Sequence, residues 1–268
     1  MKEIKRKLKS LRFKIFKLFK NNLNILYNMS SFTNIKIGVI ITVWKRGHLE
    51  KQLIQLSNQT IKPDYIVVFQ NENHINVLDI VKKYNVIHVK SDYNTKFFGR
   101  FSYLFNLPVD ICVAMDDDII PGTNCIKNYV QQCIKFNAII GGNGRYSYNN
   151  PNNKKIRQQD VGKRTDLLKV DFVGHLWCFK KDWLYYMFSA KPYTYETGED
   201  MHLCFTCKLY GNISCYVGAQ INKEDECDIT YNSLADDTHS SYKISQENGH
   251  KLRKEIQIYW HNKGVKYE

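Results

Sequence analysis

The 268-residue sequence has no apolar run near the ~18 residues that a bilayer-spanning helix needs, so no transmembrane helix is expected. Lys and Arg interrupt every apolar stretch close to Met1, which argues against a secretory signal. A reducing compartment is then the expectation, and the eight cysteines read as thiols. Cys204 and Cys207 form a CxxC, but no second pair at zinc-ligand spacing follows. Their i, i+3 separation in a helical stretch favours ordinary buried thiols over a metal or redox pair. The sequons that begin at Asn28, Asn58 and Asn212 carry little meaning outside a secretory lumen. There is no internal repeat, and acidic residues are outnumbered 26 to 39.

The basic excess is local. Residues 1–20 hold nine Lys or Arg against Glu3 alone, which is +8 of the formal +13. Ile4, Leu8, Leu11, Ile15 and Leu18 recur at steps of four and three, predicting a basic amphipathic helix. With Phe13, Phe16 and Phe19 it suits an anionic membrane surface. A solvated helix, a disordered arm and a nucleic-acid-binding arm are the other readings. Residues 21–34 read as an Asn- and Ser-rich linker. The remaining chain is modestly charged, and at 43% hydrophobic the sequence can bury a substantial core.

From residue 35 strand and helix patterns alternate. Strands are predicted at 35–43, 65–69, 86–89, 111–115 and 138–140. Helices are predicted at 49–56, 77–83, 97–105 and 123–136. This βαβα order argues for a mostly parallel sheet with helices on both faces, in which ligands bind beyond the carboxyl ends of the strands. The second half is less regular. Residues 141–154 read as a Gly- and Asn-rich loop, 170–173 as a strand and 180–188 as a helix. A helix at 199–209, closed by Gly211, leads to a strand at 214–217. A polar loop at 219–239 and a terminal helix at 244–260 complete the chain.

Asp116, Asp117 and Asp118 carry the strongest chemical signal. Five apolar residues precede them and a Pro-Gly turn follows, so three carboxylates sit at the end of a buried strand. Adjacent like charges are costly unless a cation offsets them, and Mg²⁺ or Mn²⁺ binds phosphates through one or two carboxylates. A metal–diphosphate site and a solvated acidic turn are the two readings. Glu199 and Asp200 open a helix, where acids are favoured by the helix dipole alone or could take a proton from a hydroxyl. His239 could be a metal ligand or a solvated loop histidine. Arg100 could grip a phosphate in a bidentate contact, with Gly99 allowing close approach.

Taken in order along an α/β chain, these motifs resemble the GT-A fold, nucleotide-sugar-dependent glycosyltransferases, in particular family 2-like members. The likeness runs from about residue 35 to about residue 241. Residues 40–46 resemble the first strand and the loop toward the nucleotide, and 56–68 the passage into the second strand. Asn94 with Gly99-Arg100 resembles the stretch before the acidic motif. Asp116-Asp117-Asp118 resembles the DxD motif, residues 171–177 the acceptor-side segment, and Gly198-Glu199-Asp200 the ED base motif. The second strand departs from the pattern, ending in Gln70-Asn71-Glu72 where an acidic residue is usual.

The resemblance implies a domain at 35–268, with a nucleotide-binding half at 35–121 and an acceptor-binding half at 122–268. It implies a nucleotide-sugar donor contacted by Thr42, Arg46, Gln70, Asn94, Arg100, Asp116 and Asp117. It implies Mn²⁺ or Mg²⁺ bound by Asp118, with Asp116 and His239 as further ligands. Asp200 would be the general base, and Glu199, Gly174 and Trp177 would face the acceptor, with Trp177 stacking on a sugar ring. The implied reaction is transfer from a UDP-sugar to a hydroxyl on a glycan, lipid or protein, with inversion, in the cytoplasm or at its membrane surface. A retaining enzyme of the same fold is an alternative. A nucleotidyltransferase would bring a Gly-rich loop with a Lys after the first strand, and residues 42–47 have none. A membrane- or nucleic-acid-binding protein would carry its charge on the folded body, so no nucleic-acid partner is expected.

Overall fold

The computed structural model describes residues 34–147, 165–231, 233, 234, 238, 239 and 246–268, with the backbone alone for 246–250. The basic amphipathic helix and linker expected at the N-terminus lie outside the described residues. The body described below is the compact unit Lys36–Glu268. Among the described residues no helix is long and apolar enough to cross a membrane.

The first half alternates as its pattern dictates. β1 (Ile37–Val43), α1 (Leu49–Ser57), β2 (Tyr65–Asn71), α2 (Leu78–Lys83), β3 (Ile87–Ser91), α3 (Gly99–Phe105), β4 (Ile111–Met115) and α4 (Cys125–Phe136) follow in turn. β5 (Ile139–Arg145), β6 (Leu168–Val170), β7 (Phe172–Lys180) and a 3-10 turn (Lys181–Trp183) come next. α5 (Leu184–Phe188), α6 (Glu199–Gly211), β8 (Cys215–Val217), a second 3-10 turn (Lys223–Asp225) and α7 (Gln246–Asn262) complete the order.

One eight-stranded sheet runs β3-β2-β1-β4-β7-β5-β8-β6. β3, β2, β1 and β4 are parallel, β7 pairs antiparallel with both β4 and β5, and β6 pairs antiparallel with β8. Only β7 and β6 therefore run against the rest. β4 is buried along its whole length, as its unbroken apolar sequence requires of a strand covered on both faces. All eight cysteines are buried free thiols.

Three expectations are corrected. The loop predicted at 141–154 begins as strand, because β5 continues to Arg145. A Cβ at Gly141 would fall 2.2 Å from Val173 Cβ, so glycine here lets β5 press against β7 rather than breaking it. The helix predicted at 180–188 is the end of a nine-residue β7, a 3-10 turn and a short helix. The apolar run of residues 176–179 is strand because it pairs with β4 and β5 on both sides, which periodicity alone cannot reveal. Finally, α6 extends through Gly211, and Asn212 at φ 53° supplies the left-handed cap.

Candidate active site

The acidic triplet leaves β4 at the carboxyl end of the parallel strands. The Asp116 N–H donates to the His175 carbonyl at 3.0 Å, prolonging the β4–β7 pairing by one step. His175 takes a left-handed φ of 64° there, a backbone outlier of the kind that collects at functional sites. Burial lowers its imidazole below the usual value, and its Nδ1 has no hydrogen-bond partner among the described residues. The buried Gln52 of α1 donates its amide to the carbonyls of Asp116 (2.8 Å) and Ile119 (2.9 Å). Asp228 accepts the N–H of Ile120 at 3.1 Å. The loop is thus held from both sides. Gln52 lies within the apolar stripe Leu49–Leu53–Leu56, and a polar residue there was the available clue to its role.

Two arginines meet the three carboxylates. Arg46 Nη1 lies 2.6 Å from Asp117 and 3.1 Å from Asp118. Arg100 Nη1 lies 2.6 Å from Asp116, and its Nη2 lies 3.2 Å from Glu199 Oε1. Arg100 is 2% exposed, with its guanidinium 4.6 Å from the Trp177 ring centroid. Burial disfavours the charge, but Asp116 and Glu199 outweigh it and raise the guanidinium pKa. The Thr42 hydroxyl is 3.5 Å from the same guanidinium.

On the far side Gly198 starts α6 with φ 84°. A Cβ there would sit 2.5 Å from Ile256 Cδ1, so Gly198→Ala combines backbone strain with a clash. We expect it to cost about 1–3 kcal/mol in urea unfolding; an unchanged midpoint would show that the turn tolerates a side chain. Glu199 and Asp200 follow at 6% and 9% exposure. Asp200 accepts the Met201 N–H at 2.8 Å and pairs with Arg253 of α7 at 2.5 Å. Nothing in the sequence marked Arg253.

Burial, then the charge of Asp200, raises the Glu199 carboxyl from 4.5 to about 7, with Arg100 opposing. A folded-state value above the unfolded one means that the native state holds the extra proton between these limits. This group's contribution to stability therefore falls as pH rises from about 4.5 to about 7 and levels off above. Melting temperature against pH should fall less steeply for Glu199→Gln across that window. Equal slopes would refute the assignment.

Several of the predicted contact residues are buried among protein partners. Arg100 is enclosed by two carboxylates and an indole. Trp177 is 2% exposed, donates its indole N–H to the Val173 carbonyl at 2.7 Å and faces Arg100. Gln70 is 3% exposed and turned toward the β2–α2 loop and β3, binding the Ile75 carbonyl (2.8 Å) and His88 (2.9 Å). Asn94 accepts from Asn71 (3.1 Å) and the Lys96 N–H (2.8 Å), shaping its own loop. Gly174 lies beside Asn143, half-exposed on β7. Glu72, rather than Gln70, presents a carboxylate beyond β2: at φ 70° it accepts the Trp44 indole N–H at 2.8 Å.

For a cation, one feature fits. Asp118 Oδ1 is buried without a hydrogen-bond partner among the described residues, and burial with Asp116 and Asp117 raises the carboxyl to about 7. A positive charge at that oxygen would satisfy it. Among the described residues no group of three His, Cys, Asp or Glu is arranged to hold a metal. The donor set suits a Mg²⁺- or Mn²⁺-like ion that takes most of its ligands from phosphate and water.

No protein-family model and no curated protein matches the chain. Solved structures do. A crystal structure of S. aureus TarS aligns with TM-score 0.50 and 16% identity over 82% of this chain. One of S. aureus TarS 1-349 in complex with UDP-GlcNAc aligns with TM-score 0.50 and 15% identity over 70% of this chain. The chain spans about half of those proteins, 46% and 57% of their lengths. The likeness is one of fold, and the mixed sheet with its flanking helices is of the GT-A type.

Proposed function

We propose that this GT-A-fold chain is a glycosyltransferase that moves a sugar from a nucleotide-sugar, a UDP-sugar by preference, to a hydroxyl on a glycan, lipid or protein acceptor, with inversion. One observation carries the reading: a buried arginine, Arg100, joins the acidic loop after β4 to the acidic pair that opens α6. Groups suited to a departing diphosphate and groups suited to an attacking hydroxyl thus share the carboxyl end of the parallel strands. The neighbouring fold of TarS was crystallised with UDP-GlcNAc, which supports the donor class.

Asp118, with Asp116 beside it, would hold the divalent cation through its open Oδ1. When bound, such a cation supplies Lewis-acid neutralisation of the diphosphate as it leaves. Arg46 offsets the charge of Asp117 and Asp118 and keeps the loop compact. Asp200 accepts the proton of the acceptor hydroxyl while the oxygen of that hydroxyl bonds to the anomeric carbon and the bond to the diphosphate breaks. Glu199, held by Arg100, stands beside it as an acceptor contact. Basic residues 1–20 would place the enzyme at an anionic membrane surface.

The test is a thermal-shift screen of UDP-, GDP-, CMP- and TDP-sugars, each with and without Mn²⁺, since a ligand of the folded state raises the melting temperature. A metal-dependent rise with one nucleotide class supports the reading and names the donor. No rise with any of them, from folded protein, counts against it. Asp200→Asn should lose transfer by roughly 10²–10⁴-fold while keeping the donor-induced shift. Loss of that shift would make Asp200 a donor-side residue.

A further inference from the structure

Glu199 and Asp200 are neighbours in sequence, yet each meets a different arginine. Arg100 reaches Glu199 from inside the core, with its side chain 3% exposed. Arg253 reaches Asp200 from α7, with its side chain 27% exposed, at the solvent side of the pair. The Arg253 guanidinium also lies over the Phe172 ring, 5.6 Å from its centroid. α7 is firmly seated on the start of α6. Ile256 fills the space beside Gly198, Trp260 packs on His202 at 5.3 Å, and Tyr259 packs on Tyr193 at 5.4 Å. Glu255 accepts the Tyr193 hydroxyl at 3.2 Å.

Both carboxylate oxygens of Asp200 are therefore anchored. Oδ1 takes the Met201 N–H at 2.8 Å and Oδ2 takes Arg253 at 2.5 Å. A charge-assisted bond of this length fixes orientation as well as charge. A base must sit within hydrogen-bond reach of the proton it takes, and a misplacement of about 1 Å can cost about 100-fold in rate. An unrestrained Asp at a helix start would swing between rotamers and its own backbone N–H groups.

We propose that Arg253 is a positioning residue that aims the Asp200 carboxylate at the acceptor hydroxyl, so that α7 is part of the active site. The proposal rests on Asp200 being the base. The hydroxyl proton goes to Asp200, and Arg253 keeps its own protons throughout. The planar guanidinium, through Nη2, supplies direction as well as charge, which a lysine ammonium does only partly.

The experiment uses the full chain, with a UDP-sugar donor and a hydroxyl acceptor that the wild type turns over. Arg253→Ala is expected to lower kcat by roughly 100-fold while leaving donor KM near the wild-type value. Arg253→Lys should recover part of the loss. Guanidinium ion at low, non-denaturing concentration should restore turnover to Arg253→Ala and do nothing for Asp200→Asn, a response that a purely structural role would not give. In thermal unfolding, Arg253→Ala and Asp200→Asn should be non-additive, which tests the contact without any activity assay. If Arg253→Ala stays within about threefold of wild type while Asp200→Asn is inactive, this inference falls and the base assignment stands. A loss that follows the melting temperature and resists guanidinium also overturns it. If Asp200→Asn turns over normally, the base assignment falls, and the role of Arg253 with it.

Discussion

Asp118→Asn is expected to lower transfer by about a thousandfold or more while leaving the fold intact, because several kcal/mol of charge stabilisation would be lost at the diphosphate. The argument is local. Asp118 Oδ1 is the buried carboxylate oxygen of the triplet with no hydrogen-bond partner among the described residues. Its carboxyl sits at about 7, raised by burial and by Asp116 and Asp117. Ionised Asp118 is therefore a burden on the fold, and its stability contribution falls as pH rises from 3.8 toward about 7. Asparagine removes that burden, and Arg46 keeps its 2.6 Å contact with Asp117. The melting temperature above pH 7 should equal or exceed that of the wild type. Near-normal turnover by Asp118→Asn, at any Mn²⁺ concentration, would sink the assignment of the cation to this residue.

Arg100→Met should be the most damaging single change to stability. Removing one partner of a buried ion pair leaves an uncompensated buried charge and costs about 3–5 kcal/mol. Here two carboxylates, Asp116 and Glu199, lose the same guanidinium. For a body of this size the midpoint should fall by roughly 10 °C or more. The loss should be smaller at pH 5, where Glu199, at about 7 in the intact protein, is already protonated. Adding Glu199→Gln to Arg100→Met should recover part of the stability, because the second buried charge goes with the first. Urea unfolding at pH 5 and pH 8 reads both effects. A cost under about 1 kcal/mol would show that water reaches these carboxylates once the arginine is gone.

Much of the molecule was legible in advance. Strands and helices from β1 to α4 fall within about two residues of their predicted bounds, since each is set by periodicity over a few neighbours. The acidic triplet announced itself by its position after a wholly apolar strand, and Glu199-Asp200 by opening a helix. The surroundings of individual side chains were less legible. Trp177 and Arg100 were assigned to ligands because they are residue types that bind sugars and phosphates. In the folded protein they are buried against each other, and their surfaces are spent on Val173, Asp116 and Glu199.

By itself, then, the sequence determined the α/β alternation, the buried strand that ends in three carboxylates, and the acidic start of α6. All of these depend on residues close together in the chain. Only the tertiary structure decided the partnership of those groups. β7 enters between β4 and β5 against the direction of both, and it carries His175 to Asp116. Arg100 meets Glu199 across 99 residues, and Arg253 meets Asp200 across 53. Contacts of that separation leave no local periodicity, because they are set by how the sheet stacks its helices and by the need of each buried charge for an opposite one.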